Sequence, residues 1–198
     1  MLIPVARLWH NMISMVQTRK NALVIRLAIA AAAIAGLGLF YGSAQAQKSR
    51  FLPTTENPFC EITTYKLRDL AEQAMSTTDT RGRPVIAINA LTLIEKPSYG
   101  RFLMAHECCH HTLGHVRRYR EGLGNNGPQP FFYIAPALKQ MELDADCCAV
   151  KMLKSKQEKD GIEAAHMTMM GFGAEYTGAY YPTGLERADN IVKCVEQD

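Results

Sequence analysis

Acidic side chains are absent from the first 46 residues, which carry four basic ones, Arg7, Arg19, Lys20 and Arg26. No apolar run there reaches the roughly 18 residues of a membrane-spanning helix. The run "LAIAAAAIAGLGLF", Leu27–Phe40, has 14 residues, the length of a signal-peptide core, and "SAQA" after it supplies the small residues Ala44 and Ala46 of a cleavage site. Residues 1–46 therefore read as a secretory signal cut after Ala46, with Met12 or Met15 as alternative starts. An adjacent Arg-Arg pair is also lacking there, which argues against the twin-arginine route. The competing reading is an uncleaved N-terminal anchor, since the apolar stretch extends back to Ala22 with only Arg26 interrupting it.

Residues 47–198 have no marked excess of either charge. Four of the 22 basic residues lie in the signal, leaving 18 beside 19 acidic ones. Without a basic patch, nucleic acid is not an expected partner. Repeats and low-complexity tracts are missing too, so residues 47–198 read as one domain with no stable membrane span after cleavage.

Cysteine is present in even number and only after the signal: Cys60, Cys108, Cys109, Cys147, Cys148 and Cys194. Export to the periplasm or the medium would place them in an oxidising compartment, which favours disulfides. A Cys60–Cys194 bridge would tie the two ends.

Periodicity outlines a mostly helical α+β domain. Apolar spacing in "TTYKLRDLAEQAM", Thr63–Met75, predicts a helix. "PVIAIN", Pro84–Asn89, predicts a strand. Helices are expected from Pro97 to about His115, over "APALKQMELDADCCAVKMLKSK", and over "GIEAAHMTMMG". A last helix starts at Thr183, with Glu186 three residues on as a capping box.

His106-Glu107-Cys108-Cys109-His110 is an H-E-x-x-H pattern. Residues four apart share a helix face, so both imidazoles reach one metal ion, and Glu107, about 100° round, can hold a water without ligating. A catalytic zinc needs a third protein ligand. His115 is one candidate, but the H-E-x-x-H-x-x-G-x-x-H pattern would need Gly at 113 and His at 116, where Leu113 and Val116 stand. Glu142 in "ELDADCCA" is the better one. Asp146, one turn on, can accept from the outer nitrogen of a ligand histidine. If His106, His110 and Glu142 share one Zn²⁺, their helices cross, and one bridge between the Cys108-Cys109 and Cys147-Cys148 pairs is expected. Those four cysteines also suggest a rival thiolate zinc site, which their adjacent spacing disfavours. His111 and His115 read as helix-surface or packing residues, and His166 as part of a Met-rich core with Met167, Met169 and Met170.

"HECCH" followed by "ELDAD" resembles the gluzincin zinc metallopeptidases, especially the group of bacterial heat-shock membrane proteases and CaaX prenyl endopeptidases, and the single-domain minigluzincins. The similarity runs from about Pro84 to Arg187 and includes "YPTGLERA", which looks like that group's His-Pro…Arg element. It implies a zincin-like fold, with the small sheet packed on the H-E-x-x-H helix and a second E-x-x-A-D helix. His106, His110 and Glu142 would be the zinc ligands, Glu107 the general base and Asp146 the outer partner. The chain departs from the group in having Tyr181 where a His would precede Pro182. The expected activity is that of a zinc endopeptidase acting on extended or unfolded polypeptide. Tyr181, Tyr180 and His115 are candidates for steadying the oxyanion, and strand Pro84–Asn89 for pairing with substrate. The alternative is a zinc-bearing, disulfide-tied binding or assembly protein with no proteolytic activity.

Overall fold

A computed structural model describes residues 52–123, 131–177 and 181–197. The expected export segment and Tyr180 lie outside these residues. Among them, no helix is long and apolar enough to cross a membrane.

A four-stranded mixed sheet leads the domain: β1 (Thr54–Thr55), β2 (Thr63–Leu67), β3 (Ala74–Thr78) and β4 (Pro84–Asn89), in the order β1-β2-β4-β3. β4 pairs parallel with β2, placing Ile86 opposite Thr64, and antiparallel with β3, placing Ile86 opposite Ser76. The β3–β4 turn is built by Asp79, whose Oδ1 accepts from the backbone N–H of Arg81 and Arg83, with Gly82 in the left-handed region at φ 80°.

The helix expected over Thr63–Met75 is therefore two strands. Leu67, Leu70, Ala71, Ala74 and Met75 have helical spacing, but Thr63-Thr64-Tyr65 and Ser76-Thr77-Thr78 are mainly β-branched or aromatic stretches with strand partners available in β4. Pairing with the buried Val85–Ile88 segment overrides the local pattern.

After the sheet come α1 (Ala90–Glu95), α2 (Pro97–Thr112), the short α3 (His115–Arg118), a π-helical turn at Tyr119–Leu123, α4 (Phe131–Ser155), α5 (Lys159–Phe172) and α6 (Gly184–Glu196). Pro97 at the first position fits the start of α2, where no N–H is needed. Thr183 and Glu186 complete the capping box: Glu186 N donates to Thr183 Oγ1 at 3.2 Å, and Thr183 N donates to Glu186 Oε2 at 2.6 Å.

The core is α+β in layout. Ile88 of the sheet, Phe102, Leu103 and Ala105 of α2, Ala149, Val150 and Leu153 of α4, Met169 of α5 and Ile191 of α6 form one buried cluster. The Met-rich stretch divides across this boundary: Met169 is buried, whereas Met167 and Met170 are exposed and His166 is half-buried.

Disulfides stitch the layers. Cys109 of α2 joins Cys148 of α4, with Cα atoms 5.9 Å apart. Cys60 joins Cys108, not Cys194, and Cys147 joins Cys194. The reason lies in helix geometry. Adjacent cysteines on α2 point about 100° apart, so one faces α4 and the other faces the segment before β2. The same split on α4 sends Cys148 to α2 and Cys147 to α6. All six are paired, so the thiolate zinc site has no ligands.

Candidate metal centre

α2 and α4 cross so that His106, His110 and Glu142 face one another. His106 Nε2 lies 3.3 Å from Glu142 Oε2, His110 Nε2 lies 3.5 Å from Glu142 Oε1, and the two Nε2 atoms are 2.9 Å apart. Ligands bound tetrahedrally at about 2.0–2.1 Å would stand roughly 3.3–3.4 Å from each other. The two nitrogens and the Glu142 carboxylate, which faces each with a different oxygen, already form a triangle near that size. His106 and Glu142 are buried, and His110 keeps some contact with solvent.

Charged side chains stand behind two of the three, His106 and Glu142. His106 Nδ1 lies 2.9 Å from Asp146 Oδ1. The distance is that of a hydrogen bond, but the angle falls short of a well-aligned one. Asp146, 0% exposed, is in turn gripped by Arg187 of α6, whose Nε and Nη2 donate to Oδ2 and Oδ1 at 2.8 and 2.6 Å. Arg187 Nη1 also lies 3.8 Å from Glu142 Oε2. This guanidinium belongs to the "YPTGLERA" stretch, and spacing alone gives it no role.

The electrostatics follow from burial and these pairs. Burial works against ionising Glu142, but His106, His110 and Arg187 outweigh it and hold the carboxyl down at about 2. Burial likewise opposes charge on Asp146, and Arg187 prevails to keep it low. For His106, Asp146 and Glu142 overcome burial and raise the imidazole to about 10. Burial takes His110 the other way, to about 3. Without a metal, two ionised carboxylates face one guanidinium and one protonated imidazole, His106, so the buried charges balance. A metal ion bound to His106 would take the place of that proton, and the donor set of two nitrogens and one carboxylate suits it.

Glu107 stays outside the triangle. Its Oε2 lies 2.5 Å from Ser76 Oγ on β3, and Ser76 Oγ is also 2.8 Å from the Glu107 backbone carbonyl. One hydroxyl proton serves one acceptor at a time. Burial pushes the Glu107 carboxyl up, while His106 and Ser76 favour its ionised form. Ser76 carries no motif and is invisible to spacing arguments; only strand register brings it here.

Tyr181 lies between paired segments: Thr177 N and Oγ1 both donate to the Pro182 carbonyl, at 3.1 and 2.9 Å. Burial first, and then the nearby carboxylates of Glu142 and Glu107, push its phenol far above the usual tyrosine range, so it remains an O–H donor.

No protein-family model, curated protein or solved structure matches the chain. The site's chemistry is therefore read from its own geometry.

The other two histidines part company. His111 Nε2 meets the Val85 carbonyl at 3.1 Å, a packing contact between α2 and the sheet. His115 is not a surface residue: it is buried, and its Nδ1 lies 3.1 Å from His110 Nδ1. β4, expected to pair with substrate, is flanked on both edges by β2 and β3, so its backbone groups are taken. The outer side of β3 has no strand partner among the described residues.

Proposed function

We propose that the protein is an exported zinc endopeptidase of the gluzincin type, with His106, His110 and Glu142 as the zinc ligands. The observation that carries this reading is the triangle of ligand atoms with a second carboxylate, Glu107, buried beside it and excluded from it. Zinc held there would supply Lewis acidity towards a peptide carbonyl and a water.

The chain's own residues account for the rest. Glu107 is the general base, taking a proton at its carboxylate and returning it to the leaving amine. Ser76 suits both states of that carboxylate. Its hydroxyl serves the backbone carbonyl while Glu107 is protonated and turns to the carboxylate when Glu107 ionises. Tyr181, kept neutral by burial and by the neighbouring carboxylates, is the donor placed to steady a developing oxyanion. An extended polypeptide pairs with the free edge of β3, next to Glu107.

Glu107→Gln tests this. The variant is expected to bind one zinc per chain like the wild type and to lose cleavage of unfolded casein by at least about a hundredfold. Full activity in the variant ends the peptidase reading. A wild-type protein that takes up zinc but cleaves neither casein nor a peptide library favours the alternative, a zinc-bearing, disulfide-tied binding or assembly protein.

A further inference from the structure

His115 is held in a costly position. It is 2% exposed, yet among the described residues its Nε2 meets no hydrogen-bonding partner. Among those residues its one polar contact is Nδ1 to Nδ1 with His110, at 3.1 Å, the rings meeting edge to face with centroids 5.1 Å apart. Burying an imidazole with half its hydrogen-bonding capacity unused is unfavourable. A packing role is filled more cheaply by an apolar side chain, so the contact to His110 is the feature that distinguishes this residue.

The backbone is shaped to make that contact. On an unbroken helix, His115 would stand about 140° round from His110. Instead, α2 ends at Thr112, and Gly114 takes the left-handed conformation at φ 71°. That single residue breaks the helix, and the first residue of α3 meets His110.

The tautomers then follow from the ligand geometry. His110 turns Nε2 towards Glu142 and His106, so as a ligand it carries its proton on Nδ1. The atom opposite is His115 Nδ1, which must accept. We infer that His115 is a positioning residue for the metal centre: it accepts the Nδ1–H of His110 and fixes that ring's tautomer and orientation, the part that Asp146, 2.9 Å from His106 Nδ1, is placed to take for His106. The two ligand histidines would then be braced unequally. A carboxylate tied to Arg187 stands behind the buried one, and an uncharged imidazole behind the solvent-facing one.

This inference rests on the metal-site reading, and zinc affinity separates the two. Competition with a chromophoric chelator on the purified protein gives dissociation constants for wild type, His115→Leu and His115→Asn. Leucine has no acceptor; the Asn Oδ1 occupies nearly the place of Nδ1. The leucine variant is expected to bind zinc about 10–100-fold more weakly, and the asparagine variant within about threefold of wild type. The urea midpoint of the metal-free proteins serves as a control, since a purely structural residue would affect folding without distinguishing the two variants in zinc affinity. Equal affinity in leucine variant and wild type overturns the inference, and so does an asparagine variant as weak as leucine. Should the leucine variant not fold, His115→Gly with added imidazole replaces it; imidazole must restore the affinity, and failure to do so has the same force. Wild-type protein that takes up no zinc removes the metal reading and this inference with it.

Discussion

Replacing Arg187 by methionine keeps most of the side-chain volume and removes the charge. In the native protein, that guanidinium makes two hydrogen bonds to Asp146, at 2.8 and 2.6 Å, where water does not reach. After substitution, Asp146 keeps only the His106 imidazole beside it. Removing one partner of a buried pair costs about 3–5 kcal/mol, because the other charge is left in a poor medium. For a domain of this size, a loss of 1 kcal/mol lowers the melting temperature by about 2–4 °C. The expected drop is therefore about 6–20 °C at pH 7, measured by circular dichroism on the metal-free protein. The sign with pH is also set. Asp146 has its folded pKa below the usual value, so its stabilisation is complete above about pH 4 and is lost as pH falls through the folded value. Once Asp146 is neutral in both proteins, the guanidinium loses its two hydrogen-bonded charge contacts and keeps only the longer approach to Glu142, at 3.8 Å. The gap between wild type and variant should narrow towards acid. A loss below about 1 kcal/mol at neutral pH, or a gap that stays constant down to about pH 2, would refute the account of this pair.

Two further outcomes rest on the same geometry. On the proposed peptidase reading, Ser76→Ala takes a donor from ionised Glu107, which raises its pKa further; the acid-side midpoint of the pH–rate profile should move up by about one pH unit, and an unmoved limb would remove Ser76 from that proposed mechanism. Cys109→Ser with Cys148→Ser opens a loop spanning 39 residues and should cost about 3–4 kcal/mol, read from the urea midpoint; an unchanged midpoint would mean that helix packing alone holds α2 against α4.

The parts of the centre legible in the sequence are those carried by one helix at a time. Four-residue spacing puts His106 with His110 and Glu142 with Asp146, and no tertiary information is needed for either pair. What spacing does not reach depends on elements distant in the chain. Ser76 arrives through strand register, and Arg187 through the packing of α6 on α4, where Asn190 Nδ2 donates to the Leu143 carbonyl at 2.9 Å. A continuous helix through Gly114 misplaces His115, because one left-handed residue breaks the helix there. The Thr63–Met75 segment has helical spacing but strand partners, and pairing prevails. Matching Cys60 to Cys194 uses only their positions near the chain ends, an argument with no geometry in it. In the fold, the segment carrying Cys60 lies against α2, and α6 lies against α4.

The disulfide connectivity has a consequence for how the protein is made. Numbered from the N-terminus, the cysteines pair first with second, third with fifth, and fourth with sixth. The last two bridges interleave. A chain oxidising in the order of its synthesis would join Cys109 to Cys147, its next neighbour, and leave Cys148 for Cys194. That arrangement exchanges the two faces of α4 and turns Glu142 and Asp146 away from α2. The native pairing can be completed only after Cys194, the partner of Cys147, has emerged. Refolding with an oxidant alone should therefore give a share of misbridged chains, and adding a disulfide isomerase should raise the yield of the native pairing.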